Sequence, residues 1–475
     1  MDISKAPTEV NGSVSHPNDP IDTDASNQLR QRLEARTATI GVIGMGYVGL
    51  PLAVEYAREG FETIGIDLNE QRINRLNAGD NYIDDLDDEE VQALVEDEVL
   101  RGTTTFEDSP DIDIFFVCVP TPVTVNKEPD TSYIQSASAS IAEHIRPGQL
   151  VVLKSTTYPN TTEGVVLPIL EASAEDQGLT LGEDFFLAFS PERIDPGNKE
   201  FNTSNTPVVV GGVTPGCTTM AELALTQIIA EVHVVSNPKV AEMEKLLENI
   251  FRSVNIALVN ELARLCDRVG DVSMWEVVEA AATKPFGFMP FYPGPGLGGH
   301  CIPVDPYYLS WSARKHDFET SFITLSARIN ESMPFYVAES VVEAIAHEPV
   351  RLQDARVLIV GVAFKGNVDD TRHSPAETIV KLLRDKGVRH IEYHDPHVPQ
   401  YTVTDSNGDI IDLPAVDLTP ETLEACDVAL IVTNHEAVDG TLIARHAPRI
   451  VDTRNALADV DVEGLSDKLT LLGGG

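Results

Sequence analysis

Short apolar runs alternate with longer amphipathic and polar stretches through the first half of the chain, at the spacing of strands and helices in an α/β protein. Residues 39–43, 62–66, 113–119, 150–153 and 185–189 read as buried strands, rich in Val, Ile, Leu and Phe. The last three each run into a polar or turn segment: Pro120, Thr121 and Pro122; Lys154 to Pro159; and Ser190, Pro191, Glu192 and Arg193. Ligands of open parallel sheets bind beyond the strand C-termini, so these segments are expected to face a crevice. A helical stripe of Met243, Leu246, Leu247, Ile250, Val254, Leu258, Leu262 and Leu265 then predicts one long helix from Pro238 to the residue before Gly270. Asn237 suits its cap, Pro238 its first turn and Gly270 its end. At about 1.5 Å per residue it spans on the order of 50 Å, the reach of a connector between lobes or of a dimer helix. Strand patterns resume at 356–360, 390–394, 427–432 and 449–451 and repeat the order of the first half. Residues 1–36 carry Ser, Asn, Asp and Pro with little apolar periodicity and read as a disordered or loosely attached acidic tail.

The first strand runs directly into Gly44-Met-Gly46-Tyr47-Val48-Gly49 and then into a helical stretch. Strand, glycine turn and helix in that order are what a dinucleotide fingerprint requires. Gly44 permits the tight turn, Gly46 lets the backbone approach a pyrophosphate, and Gly49 lets the helix pack closely on the strand. The anion would lie at the helix N-terminus, among unpaired N–H groups. Asp67 ends the second strand, 18 residues after Gly49. An acid there accepts from ribose hydroxyls and repels a 2′-phosphate, which favours NAD over NADP. The expected fold is α/β: two Rossmann-like parallel-sheet domains joined by a long central helix and a helical middle domain. The boundaries read as tail 1–36, NAD-binding domain 37–230, central helical and dimerisation domain 231–345, and second Rossmann-like domain 346–475.

The second lobe lacks the glycine fingerprint and carries Phe364, Lys365 and Gly366, then Asp369, Asp370, Thr371 and Arg372. A Lys and an Arg at a sheet mouth suit a phosphate-bearing ligand; ordinary surface charges on a degenerate repeat fit as well. Between the lobes lies the run from Tyr292 to Asp305, whose glycines and prolines forbid regular structure and whose end holds Cys301. A lone cysteine in such a loop is more often a structural thiol than a nucleophile. Lys245 and Asn249, spaced i,i+4, project from one helix face together, and spacing alone favours a solvated polar face.

NAD with a cysteine and a lysine on one chain suggests oxidation carried past an aldehyde. A thiolate traps the aldehyde as a hemithioacetal, a second hydride transfer gives a thioester, and water releases a carboxylate. That chemistry asks for a nucleophilic thiol, an oxyanion partner and a carboxylate for water: Cys301, Lys245 with Asn249, and Asp305 or Glu192 can supply them. A simple two-electron hydroxy-acid dehydrogenase would share the first lobe but need no cysteine loop. A non-catalytic NAD-sensing protein would need none of these side chains.

The 34 Lys and Arg against 75 Asp and Glu give a net charge of −41. This excludes nucleic acid and anionic membrane as partners. The even spread of acids predicts a surface adapted to concentrated salt. No run approaches the roughly 18 uncharged apolar residues of a membrane span, and no basic–apolar leader is seen. Five scattered cysteines suit free thiols in a reducing cytoplasm, and no metal is expected.

The motifs together resemble the UDP-glucose/GDP-mannose dehydrogenase family over residues 38–460. They are Gly44 to Pro51, Val117 to Pro122, Lys154 to Thr156, Ser190 to Arg193, Lys245 with Asn249, Gly296 to Asp305, and Gly361 to Lys365 with Asp370, Thr371 and Arg372. The resemblance implies four-electron oxidation of C6 of a nucleotide sugar, with two NAD reduced per uronate, in a homodimer or higher homo-oligomer. It assigns Cys301 as thioester-forming nucleophile, Asp305 as the carboxylate assisting it, Lys245 and Asn249 as oxyanion donors, and Glu192 and Thr156 to position water and substrate. NAD would be held by Gly44, Gly46, Tyr47, Val48, Gly49, Asp67, Arg72, Thr121 and Thr156. The UDP-sugar would be held by Glu192, Arg193, Lys245, Asn249, Tyr292, Gly296, Gly298, Lys365 and Arg372. UDP-glucose members commonly carry a second glutamate after the Pro-Glu pair and a lysine before the aspartate of the cysteine loop. Here the run is Pro191 to Gly197 and Val304 precedes Asp305. These loops, with Phe286 to Gly296, are more similar to the UDP-N-acetylhexosamine branch, UDP-N-acetylglucosamine 6-dehydrogenases first and UDP-N-acetylmannosamine dehydrogenases next.

Overall fold

A computed structural model describes residues 23–83, 86–107, 109–124, 127–194, 200–299, 302, 304–405 and 408–475. The chain divides into two compact units, one running to Glu248 and taking in Tyr307–Glu319, the other comprising Asn249–Pro306 and Thr320–Gly475.

The first unit is built on an eight-stranded sheet: β1 (Ile40–Ile43), β2 (Thr63–Ile66), β3 (Leu100–Thr103), β4 (Ile114–Val117), β5 (Leu150–Leu153), β6 (Phe186–Phe189), β7 (Val208–Gly212) and β8 (Val232–Val234). Their order is β3-β2-β1-β4-β5-β6-β7-β8, and every neighbouring pair is parallel except β6 with β7. Helices cover both faces, so the central strands β1, β2, β4, β5 and β6 are buried along their whole length. The five strands expected from apolar runs are present. Three others carried no clear signal. β3 and β8 are edge strands that are partly exposed, and β3 holds Arg101 and Gly102. β7 ends in Gly211 and Gly212, a pair that reads as a turn; both are in the strand because other backbone lies against them. A Cβ on Gly211 would stand 2.3 Å from the Asn237 carbonyl oxygen, and one on Gly212 would stand 2.2 Å from the Thr218 nitrogen.

The tail expectation is corrected for its last third. Asp24–Glu34 is a helix, capped by Thr23 and Ser26 in a reciprocal capping box. Leu29 and Leu33, one turn apart, are 1% and 0% exposed in the same core as Leu52, Tyr56 and Met220. Burial of each is worth roughly 2 kcal/mol. Arg32 then reaches the buried Asp113 at 2.6 Å, where Arg146 meets the same oxygen at 2.9 Å. Two leucines in an otherwise polar stretch are too few for a periodic signal. The remainder of the tail, residues 1–22, lies outside the described residues.

The second unit carries β9 (Arg356–Val360), β10 (His390–His394), β11 (Tyr401–Thr404), β12 (Ile410–Leu413), β13 (Val428–Ile431), β14 (Ile450–Asp452) and β15 (Leu469–Leu471). Five form a parallel sheet in the order β10-β9-β13-β14-β15, while β11 and β12 form an antiparallel hairpin. The hairpin and β15 were not foreseen; each strand is only three or four residues long, so even the alternation of buried Tyr401 and Val403 with exposed threonines in β11 is too short a run to stand out.

The long helix spans Pro238–Val269, and the division between the units falls within it. Asn237 Oδ1 accepts from the Val240 N–H at 3.2 Å, and Gly270 leaves the helix with φ +75°. Its apolar stripe is only in part the buried face: Leu246 is fully buried and Ile250 and Val254 partly so. Met243, Leu247, Leu258, Leu262 and Leu265 are exposed, while Glu242, Lys245, Asn249, Ser253 and Asn260 are buried. Polar groups are withdrawn from water only at a cost unless partnered, so the solvated-face reading of Lys245 and Asn249 is set aside.

Candidate active site

In the first unit the glycine turn has the geometry its sequence calls for. Gly44 sits at φ +94°, and a Cβ there would lie 2.6 Å from the Cys118 carbonyl oxygen. A Cβ on Gly49 would come within 1.8 Å of the Gly44 carbonyl oxygen, so the helix Gly49–Arg58 packs directly on the turn. Above Gly46, by contrast, there is nothing within 4 Å. Val48 gives the helix no side-chain cap; the Leu50 N–H donates to the Gly46 carbonyl at 3.0 Å and Pro51 has no N–H, so an anion here would be met by the N–H groups of the turn ahead of Leu50. This open space, the uncapped helix start and the acid at the end of β2 fit a dinucleotide. Tyr47 and Val48 lie in the same turn, Tyr47 exposed and Val48 half-buried.

Asp67 Oδ2 accepts from the Met45 N–H and from Arg72 Nη1, both at 2.8 Å, while Oδ1 accepts from the Asn69 N–H at 2.9 Å. Arg72 is thus drawn to the carboxylate that the sequence placed at the ribose, and its guanidinium also lies over the Tyr82 ring. Thr121 is buried after β4, and Thr156 is half-buried after β5. Between them Ser155 Oγ donates to the Val119 carbonyl at 2.7 Å, tying the two strand-end loops together.

The next strand ends bring three charged groups into one chain of contacts. Glu192, after β6, has Oε1 held by the Arg193 and Ile194 N–H groups at 2.9 and 3.1 Å, and its Oε2 lies 3.5 Å from Lys154 Nζ. The Arg193 guanidinium turns the other way. It pairs closely with Glu248, reaches Glu244 at 3.4 Å and donates to the Pro207 carbonyl at 2.8 Å. Burial, then the hydrogen bond shared with Glu248, pushes the Glu244 carboxyl up to about 7. Burial likewise pushes the Cys118 thiol, at the end of β4, up to about 12 against the pull of Lys154. Lys245 is buried on the same helix as Glu244 and Glu248. The sequence placed Lys154 in a crevice-facing segment and in one of the family motifs but gave it no role of its own, because its burial shows only in the fold.

In the second unit, Asp305 opens the helix Asp305–Arg314 and is 2% exposed. Asn249 Nδ2 donates to its Oδ2 at 2.6 Å, so the two expected site residues are in direct contact. Cys301, the expected nucleophile, lies outside the described residues, as do Pro196 and Gly197 of the loop that bears on sugar choice.

The glycine run before Cys301 is built into this unit. Gly294 N–H donates to Asn260 Oδ1 at 2.9 Å, Asn260 Nδ2 to Asn330 Oδ1 at 3.0 Å, and Asn330 Nδ2 to the Ser253 carbonyl at 3.1 Å. Tyr292 stacks on Trp275 with ring centroids 5.6 Å apart. Gly296 adopts φ +132° against Pro334. A Cβ on Gly298 would meet Phe364 Cβ at 2.6 Å, and Gly299 N–H donates to the Arg372 carbonyl at 2.9 Å. Of the expected sugar-nucleotide wall, Gly298 therefore lies against the segment carrying Lys365 and Arg372, while Tyr292 rests on Trp275 and Gly296 on Pro334. Asp370 grips the Arg372 guanidinium at 2.6–3.0 Å. Arg454, which no sequence pattern marked, donates from Nε to the Val432 carbonyl at 2.9 Å. A Cβ on Gly294 would lie 2.8 Å from its Nη1. Burial pushes its guanidinium down to about 10.

The second lobe also repeats the acid of the first. Asp395 ends β10 as Asp67 ends β2, and accepts from the N–H groups of Val362 and Ala363 on one oxygen and of His397 and Val398 on the other. In place of an arginine its partner is His435, whose Nε2 lies 3.1 Å from Oδ2, while its Nδ1 accepts from the Asn367 N–H. Burial alone would raise the Asp395 carboxyl; the bonds from His435, Val362 and His397 hold it at about 2. The acid is internally satisfied there, consistent with a lobe that lost the dinucleotide fingerprint.

Three family descriptions match the chain in succession. They are the NAD binding domain of the UDP-glucose/GDP-mannose dehydrogenase family over residues 38–251, its central domain over 239–332, and its UDP binding domain over 358–459. A UDP-N-acetyl-D-glucosamine 6-dehydrogenase of Pseudomonas aeruginosa is 39% identical over 360 residues, 76% of this chain and 83% of that protein. A UDP-N-acetyl-D-mannosamine dehydrogenase of Pyrococcus horikoshii is 34% identical over 429 residues, 89% of this chain and 97% of that one. The solved structure described as a UDP-D-ManNAc dehydrogenase from Pyrococcus horikoshii superposes with a TM-score of 0.80 at 31% identity, covering 92% of this chain and 99% of that one.

Proposed function

This chain belongs to the UDP-glucose/GDP-mannose dehydrogenase family, and we propose that it oxidises the C6 alcohol of a UDP-N-acetylhexosamine, UDP-N-acetyl-D-glucosamine, to the uronate. It is an NAD-dependent UDP-sugar dehydrogenase; the identity of the sugar and the residue roles are our reading. The observation that carries the roles is the burial of Asn249 and Asp305, from two different helices, with Asn249 bonded to Asp305, and of Lys245 one turn before Asn249. Buried polar groups cost a fold stability unless they are partnered, and a reaction is what such a grouping serves.

When bound, NAD supplies the hydride acceptor for both oxidations. Cys301 Sγ adds to the C6 aldehyde, and Lys245 and Asn249 stabilise the oxyanion that forms on its oxygen. Asp305 orients Asn249 and assists the thiol. Glu192 and Thr156 position the water that cleaves the thioester, with Glu192 taking its proton. Thr121, Thr156 and the Gly44–Gly49 turn hold the cofactor; Tyr47 and Val48 line that turn. Asp67, steadied by Arg72, reads its ribose. Arg193, Tyr292, Gly296, Gly298, Lys365 and Arg372 hold the UDP-sugar. The P. aeruginosa relative's name supports the glucosamine epimer, and the P. horikoshii relative, matched over more of the chain, supports the mannosamine epimer as the second reading.

NADH formed per mole of sugar consumed, in concentrated salt, decides among UDP-N-acetylglucosamine, UDP-N-acetylmannosamine and UDP-glucose. We expect about two NADH per UDP-N-acetylglucosamine, as thioester chemistry requires. Turnover of the mannosamine epimer alone would move the assignment to the second reading. Turnover of UDP-glucose alone would remove the N-acetyl branch altogether.

We also read the enzyme as a salt-adapted cytosolic homo-oligomer. Phe251, Leu258, Leu262, Leu265, Phe322 and Leu325 are exposed large apolar side chains in the second unit, of the kind a partner subunit covers. The charge of −41 calls for counterions. No helix among the described residues is long and apolar enough to cross a membrane. Sedimentation in concentrated salt should show a dimer or larger species that dissociates or unfolds in dilute buffer. A monomer in salt, or an unchanged oligomer without it, overturns the corresponding half of this reading.

A further inference from the structure

Lys154 ends β5 with its side chain 0% exposed, and among the described residues its Nζ has no hydrogen-bond acceptor. Its ion pair is with Glu192 Oε2 at 3.5 Å, on the loop that follows the neighbouring strand β6. The Cys118 thiol, after β4, senses both charges and is itself held protonated by burial. Nothing in the packing of the sheet asks for an ammonium at this place. A buried ion pair is worth no more to a fold than well-packed apolar side chains of the same volume. Glu192 is the partly open member: its side chain is 12% exposed, and its other oxygen is already fixed by two backbone N–H groups.

We propose that Lys154 is a positioning residue for Glu192, its ammonium anchoring Oε2 by charge so that the carboxylate stands ready to take a proton from the attacking water. The inference rests on the role given above to Glu192. In the step concerned, the water O–H bond breaks and its proton goes to the Glu192 carboxylate. The oxygen bonds to the thioester carbonyl carbon, the C–S bond breaks, and Cys301 leaves as thiolate. Lys154 forms no bond in this sequence; it sets where the accepting oxygen stands.

The test is a double-mutant cycle on the full-length enzyme with Lys154→Met, Glu192→Gln and both together, assayed with the UDP-sugar that the wild type turns over. Lys154→Met should lower kcat by about 10²-fold, the lower end of what a general base contributes, with KM for NAD and sugar within about twofold. Rapid mixing should show a burst of NADH followed by slow turnover, because the thioester still forms and then waits for water. In the Glu192→Gln background the lysine substitution should change kcat by less than about twofold, since a residue acting through another is silent once the other is gone. Methylammonium added to Lys154→Ala should restore part of kcat, a rescue that a lost packing contact would not give. Multiplicative losses, no burst or a wild-type kcat in Lys154→Met overturn the proposal while leaving Glu192 its role. A wild-type kcat in Glu192→Gln overturns the role of Glu192 and the inference with it. Should Lys154→Met fail to fold, Lys154→Gln carries the same cycle.

Discussion

Replacing Cys301 by alanine should stop the reaction at the aldehyde. The first oxidation removes hydride from a C6 alcohol and needs no thiol. The second needs a tetrahedral carbon from which hydride can leave, and in the role proposed for it Cys301 would make the aldehyde carbon tetrahedral by adding to it. Without Sγ the uronate forms only through spontaneous hydration. We expect its formation to fall by at least about 10³-fold, the scale on which loss of a covalent nucleophile is felt. NADH should fall from about two per sugar to no more than about one, the thioester route being closed. Affinity for the UDP-sugar should change little, because the wall around Tyr292, Gly296 and Gly298 is held by Asn260, Asn330 and the Arg372 segment and not by the thiol. Quantifying NADH, aldehyde and uronate in one reaction checks this. Two NADH per sugar at a near-native rate would return Cys301 to a structural thiol and leave the second oxidation without its nucleophile.

The Gly49→Ala substitution should be nearly as damaging, by a different route. The added Cβ falls 1.8 Å from the Gly44 carbonyl oxygen, and backbone cannot yield as a flexible side chain can. The helix Gly49–Arg58 must move off the turn, and with it the N–H groups that would face a pyrophosphate. Overpacking of this kind costs about 1–3 kcal/mol of stability, and we expect NAD affinity to fall by on the order of 10²-fold as helix-terminal hydrogen bonds to the anion are lost. Gly46→Ala is the instructive partner. Its Cβ meets nothing within 4 Å, so the fold should be unaffected while NAD binding weakens, the methyl occupying space meant for the cofactor. Calorimetric titration with NAD beside thermal unfolding separates the two. Equal NAD affinity in Gly49→Ala and wild type would mean that the turn does not carry the pyrophosphate.

The cofactor lobe was legible from local pattern. Strand β1, the Gly44–Gly49 turn and Asp67 are fixed by residues close together in the chain, where steric limits on φ and the spacing of apolar positions act directly. The long helix was legible in its bounds, which caps and glycine set locally, but not in its orientation. The stripe pointed to a connector between lobes or a dimer helix without saying which of its residues a core would take, and Leu258, Leu262 and Leu265 face outward. The helix Asp24–Glu34 was missed for the converse reason: its two buried leucines count only once a sheet exists for them to pack on.

The sequence by itself determined the alternation of strands and helices, the dinucleotide turn and the family, because those depend on spacing along the chain. Only the tertiary structure decided which charges are buried together. Lys154 meets Glu192 across two strands, Asn249 meets Asp305 across 56 positions, and Asp395 is satisfied by His435 rather than left for a ribose. Such pairings join residues far apart in the chain. Whether a polar side chain is solvated or paired is decided by what packs over it, and no local periodicity records that.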